Sequence, residues 1–142
     1  MRSATAGFSL HPHTADIRLQ VWAPTLQELF CVAAQGLAEV LVPEGCRRPA
    51  APLRRWYRFA VHSPDETALL VDFLSMVLLA SYLRRALFCR VRFLEFTPTS
   101  LQARLMGYSV EGFQQDVKAV TYHEAQIRLS EQGYEAWLVL DV

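Results

Sequence analysis

Apolar and polar positions alternate along Ile17 to Trp22, where Ile17, Leu19 and Val21 interleave with Arg18, Gln20 and Trp22. A period of two predicts a half-buried strand, and Phe8 to Leu10 reads as another strand just before it. Pro24 ends the alternation. Leu26, Leu29, Phe30, Ala33, Ala34, Leu37 and Leu41 then fall on one stripe of a helix. Thr25 opens that helix with Glu28 three residues on, a capping box in which each side chain satisfies the other's spare backbone N–H. Between Pro43 and Pro52 the composition turns to Pro, Gly, Ala and Arg, as in an exposed loop. Arg54 to His62 alternates again, with Tyr57, Phe59 and Val61 opposite Trp56, Arg58 and His62.

A second helix is predicted from Ser63-Pro64-Asp65-Glu66: Ser63 as the cap, Pro64 in the first turn, Glu66 closing the box. Ala68 to Leu83 is apolar nearly all round, interrupted by Asp72 and Ser75, so this helix is expected to be the more buried of the two. Arg84 and Arg85 suit its negative end. Leu87 to Phe96 and Leu101 to Met106 read as strands joined by a turn at Pro98 to Ser100, followed by a loop from Gly107 to Gln115. Ala119 to Leu129 and Tyr134 to Asp141 form a hairpin over Glu131-Gln132-Gly133. Many strands and two helices predict an α+β domain over residues 1–142, with both amphipathic helices on one face of a mostly antiparallel sheet.

On that reading the uncovered face carries Arg18, Arg58, Arg90, Arg92, Arg104 and Arg128, either as a solvated surface or as an RNA-binding one with Trp22 and Trp56 for stacking. The 52% apolar content excludes disorder, and a formal net charge of zero provides no global field toward nucleic acid, DNA included, or membrane. The Ala68 to Leu83 run reads as too short to cross a bilayer, and the first residues lack the pattern of a signal peptide. Three widely spaced cysteines, Cys31, Cys46 and Cys89, with no C-x-x-C pair, read as reduced thiols in a cytoplasmic protein.

Polar chemistry concentrates in two places. Asp116-Val117-Lys118-Ala119-Val120-Thr121-Tyr122-His123 contains the only lysine of the chain, and His11-Pro12-His13-Thr14-Ala15-Asp16 lies near the other end. These segments and Leu140-Asp141-Val142 are expected to meet. Two carboxylates brought together repel unless a cation or proton lies between them. His13 is placed to orient Asp16. Lys118 reads either as an exposed lysine paired with Asp116 or Glu124 or as a partner contact. Tyr122 should share its face, whereas His123 and Thr121 have the parity of inward positions.

His13-Thr14-Ala15-Asp16-Ile17, the run from Asp65 to Leu74, the Asp116 to His123 segment and Trp137 to Val142 together resemble, in order, four blocks of the archease family. Asp116 stands where that family typically carries Glu. The resemblance implies an accessory protein without catalytic residues of its own. Its partner would be an RtcB-type RNA ligase, whose guanylylation and multiple turnover it promotes in tRNA splicing or RNA repair, touching RNA only indirectly. It also implies a divalent-cation site, usually assigned to calcium, at Asp16, Asp141 and the carbonyl of Val142, with Lys118, Asp116 and Tyr122 toward the ligase or its nucleotide. The alternative from the residues alone is a metal-dependent hydrolase using His13, Asp16, His123 and Asp141, although no HExxH, nucleophile elbow or P-loop is present.

Overall fold

The computed structural model describes residues 5–47 and 52–142. The element order is β1 (Gly7–Pro12), β2 (Asp16–Ala23), α1 (Leu26–Leu41), β3 (Arg55–His62), α2 (Glu66–Arg84), β4 (Ala86–Thr97), β5 (Ser100–Ser109), β6 (Ala119–Ser130) and β7 (Gly133–Asp141). The α+β class holds. The strands, however, divide between two antiparallel sheets, β1-β2-β7-β6 and β3-β5-β4. The helices form the layer between them: α1 packs on β1 and β2 of one sheet and β4 of the other, α2 on β6 of one and β3 and β4 of the other. Each sheet therefore has one covered and one open face, and the six arginines split, Arg18 and Arg128 going to the four-stranded sheet.

Of the two helices α1 is the more buried, with eleven of its sixteen residues buried against nine of nineteen in α2. This reverses the expectation drawn from composition. The apolar character of α2 is still substantial: by length and hydropathy it could cross a membrane, but Leu79 and Leu83 are exposed while Leu69, Leu70, Val71, Phe73, Leu74, Val77 and Leu78 are buried in the core. Phe30, Phe73, Phe93 and Phe96 pack at the centre with ring centroids 5.0–6.4 Å apart, in the range of favourable edge-to-face contacts.

Thr25 caps α1 as expected, its hydroxyl accepting from the Glu28 N–H. The cap of α2 is Asp65, which accepts from the Ala68 N–H at 2.8 Å, and not Ser63. Ser63 is buried and its Oγ donates to Asp72 Oδ2 at 2.6 Å. A carboxylate in an apolar helix must find donors, and Asp72 takes the hydroxyl that local capping rules would have used.

A further correction concerns the thiols. Cys46 and Cys89 form a disulfide, 43 residues apart in sequence, which ties the segment after α1 to β4; Cys31 alone is free, its thiol pushed up by burial and by the nearby Glu28 charge. Tight chain approach follows at Gly107, where any Cβ would meet the Leu87 carbonyl oxygen at 2.0 Å. The β6–β7 hairpin closes as predicted, with Gly133 at φ +105°, a conformation that favours glycine.

Candidate functional site

In the β2–β7 ladder Asp16 stands directly opposite Asp141 and Arg18 opposite Val139. The β6–β7 ladder continues those rows with Ala119 opposite Asp141 and Thr121 opposite Val139. Residues directly opposite in an antiparallel pair project to the same side, their Cβ atoms about 4.5–5.5 Å apart. Leu138 and Leu140, at the alternating positions, are buried against the helices, so both aspartates project from the open face. The two chain ends thus meet as the sequence implied.

Asp16 Oδ1 is buried without a hydrogen-bond partner. His13 Nδ1 lies 4.0 Å from it and Arg18 Nε 3.9 Å, both beyond hydrogen-bond range. Arg18 Nε is itself buried and makes no hydrogen bond, meeting Asp16 only as an ion pair. An anionic oxygen withheld from water without a donor is costly, and a hard cation or a water would relieve it, so the oxygen donors fit a calcium-like ion. Among the described residues no three His, Cys, Asp or Glu side chains converge on one point. Such an ion would fill its shell from carbonyls, Val142 being adjacent in the chain, and from water. His13, Asp16, His123 and Asp141 likewise form no such group, His123 standing 74% exposed beside Glu124.

Next to this pair the β6 ladder is interrupted. Its pairing jumps from Thr121 to Gln126 while β7 advances only from Val139 to Trp137, so Tyr122 to Ala125 loop out opposite Leu138. Glu124 takes a left-handed φ of 59° at the tip and accepts from Arg18 Nη1 at 2.7 Å. Under the loop lies a groove of about 260 Å³ lined by Glu124, Gln126, Arg128, Glu135 and Trp137. The bulge also overturns the inward assignment of His123, whose side chain is 74% exposed and 3.6 Å from Glu124. Thr121, also expected inward, shares the outward row of Arg18 and Val139; its Oγ1 is buried without a partner.

Lys118 is held by its backbone, whose N–H donates to the Asp141 carbonyl at 2.7 Å. With Ser75, Leu78, Leu79, Tyr82 and Val120 it lines a depression of about 250 Å³ on the α2 side of β6. Lys118 and the aspartates are therefore neighbours in the ladder that open on different sides of the sheet. Tyr122 also turns toward α2, its hydroxyl donating to Asp72 Oδ1, which joins it to the Lys118 side as expected. That bond, with burial and the carboxylate charge adding, holds the Tyr122 phenol above its usual range.

Sequence reasoning missed Tyr82 and Asp72. Tyr82 hydroxyl donates to the Val117 carbonyl and accepts from the Val117 N–H, each at 2.8 Å. This two-way latch fixes the residue before Lys118. Burial raises the Tyr82 phenol, the Val117 bond offsets part of that, and the charge of exposed Asp116 adds to it. The usable signal was the presence of polar groups on a helix otherwise apolar all round.

Residues 8–142 match the archease protein family. The chain belongs to the archease family. Protein archease of Methanosarcina acetivorans is 30% identical over 138 residues, 92% of each chain. Protein archease of Thermococcus gammatolerans is 32% identical over 130 residues, covering 87% of this chain and 89% of its own. Among solved structures, protein 1598 of Methanobacterium thermoautotrophicum superposes with a TM-score of 0.76 at 25% identity, over 96% of this chain and 99% of its own. An archease of Thermotoga maritima, described as a possible chaperone, superposes with a TM-score of 0.64 at 16% identity, over 93% and 94%, a likeness of fold. The name protein archease, carried by the sequence relatives, names no reaction.

Proposed function

We propose that this archease is a non-catalytic activator of an RtcB-type RNA ligase, promoting its guanylylation and multiple turnover in tRNA splicing or RNA repair in the cytoplasm. The observation that carries the reading is the Asp16–Asp141 pair in register on an open sheet face, with a buried carboxylate oxygen left without a donor. Asp16, Asp141 and the Val142 carbonyl hold the divalent cation, calcium by the pattern of the family, and His13, whose backbone N–H donates to the Asp16 carbonyl at 2.9 Å, fixes the turn into Asp16. Bound there, the cation neutralises the carboxylates and stiffens the junction of β2 and β7.

Lys118, Asp116 and Tyr122 face the ligase from the other side of the junction. The exposed Leu79 and the depression beside Lys118 offer an apolar contact with one mobile point charge at its rim, suited to a protein surface or a nucleotide phosphate. Tyr82 and Asp72 act through position, fixing Val117 and Tyr122.

Reconstitution with the cognate ligase, GTP, a divalent cation and broken RNA tests this. Faster guanylylation and repeated turnover are expected, and Lys118→Ala should reduce both while leaving calcium affinity intact. Ligation unchanged over a wide range of concentrations would sink the reading.

A further inference from the structure

The open face of the β3-β5-β4 sheet has a different chemistry. In a chain whose net charge is zero, it carries Arg58, Arg90, Arg92 and Arg104 against one acid, Glu95. In the ladders Arg58 lies directly opposite Arg104, and Arg104 directly opposite Arg92, so three arginines stand in one row across the sheet. Arg90 stands opposite Met106 in the neighbouring row, which Trp56 completes. Like charges placed directly opposite destabilise a sheet. No acid offsets them: among the described residues none of these four arginines has a carboxylate partner. The single acid of the three strands, Glu95, accepts instead from Gln102 at 3.1 Å.

Two further details point to what the row receives. The Arg104 guanidinium carbon sits 3.4 Å from the centroid of the Trp56 ring, and its Nε is buried with no hydrogen-bond partner. Trp56 is nevertheless 58% exposed. One face of the indole is backed by a cation while the rest stays open, a platform on which a flat ring can stack.

We propose that this face binds single-stranded nucleic acid, the arginine row taking the phosphates and Trp56 taking a base. Guanidinium groups suit phosphate because they donate in a planar fork. Neighbouring strands are about 4.8 Å apart, so the row places a donor every few ångströms along the path of a sugar–phosphate backbone. An acidic protein surface would satisfy the charges but would leave the open indole unused. A duplex would keep its bases stacked on each other and away from Trp56. The proposal is independent of the ligase reading, since none of its residues belongs to the Asp16–Asp141 or Lys118 sites.

Fluorescence anisotropy of the full chain with a labelled 12-nucleotide RNA, and with DNA of the same sequence, tests it without any ligase present. Binding is expected to weaken with salt, with a log–log slope of about −2 to −3, because three or four phosphates at ~0.7 each are neutralised. Arg58→Gln with Arg92→Gln should lower affinity at least about tenfold and reduce the slope by ~1.4, two phosphates' worth. Trp56→Ala should cost ~5- to 100-fold with the slope unchanged, as loss of one stacked base predicts. Circular dichroism confirms that the variants fold, and the exposed Arg92→Gln single change serves as a second route should the double variant fail. No binding at 25 mM salt, binding indifferent to these changes, a preference for duplex, or equal displacement by polyglutamate would each overturn the assignment, the last in favour of an acidic protein partner.

Discussion

The two sheets share one helical layer yet carry opposite electrostatics. The strands of the four-stranded sheet contain four acids and two arginines, and those of the three-stranded sheet five arginines and one acid. On the first, Arg18 pairs with Glu124 and Gln20 donates to Glu135, while the two aspartates stand across from each other. On the second, three arginines stand in a row of one sign. A net charge of zero, read along the sequence, concealed this separation. Local field matters to binding, and it is set by which strands become neighbours.

The largest way to break the contrast is to remove the acids. Asp16→Asn with Asp141→Asn should weaken calcium binding at least about a hundredfold, because anionic ligand count sets affinity over orders of magnitude. Titration calorimetry reads this, and Arg58→Gln on the other sheet should leave calcium affinity unchanged. Next in size is the covalent tie that only the basic sheet possesses. Cys89→Ser, or reduction, should lower stability by about 2–4 kcal/mol in denaturant unfolding. Counting free thiols in rapidly quenched cell extract checks the bond in place, and finding three would deny it.

A smaller effect belongs to the latch on the acidic side. Tyr82→Phe strands both polar groups of Val117 and should cost about 1–3 kcal/mol. The phenols of Tyr82 and Tyr122 are both raised by their surroundings, so the folded state favours their protonated forms. Their contribution is complete below the ordinary tyrosine value near 10 and declines as pH rises through the raised folded values. Exchange protection of the Val117 and Lys118 amides should fall in that window, earlier than that of the β6 amides; uniform loss would count against the latch. Smallest of all, Arg92→Gln should raise stability by a few tenths of a kcal/mol by relieving the row. A measurable loss would mean that the arginines support the fold.

Much of this was legible in the chain. Alternation placed Tyr57, Phe59 and Val61 inward, and the terminal motifs brought Asp16 to Asp141. Alternation states which side a residue faces and is silent on which strand lies beside it, so one sheet was expected where there are two. His123 failed for a related reason: parity is counted through a strand, and the four looped-out residues after Thr121 reset the count. Ser63 and Asp65 were equally good caps locally, and the choice was made by Asp72, whose demand for donors arises only once α2 is packed. The disulfide joins residues 43 apart, a separation on which spacing rules have nothing to say.

A helix layer with an open sheet on each side gives the molecule two working surfaces that cannot be shadowed by one another. A visitor on the acidic side and another on the basic side would be carried together at fixed spacing. Each would then meet the other at a local concentration far above its bulk value, which makes the α1–α2 layer a spacer as much as a core.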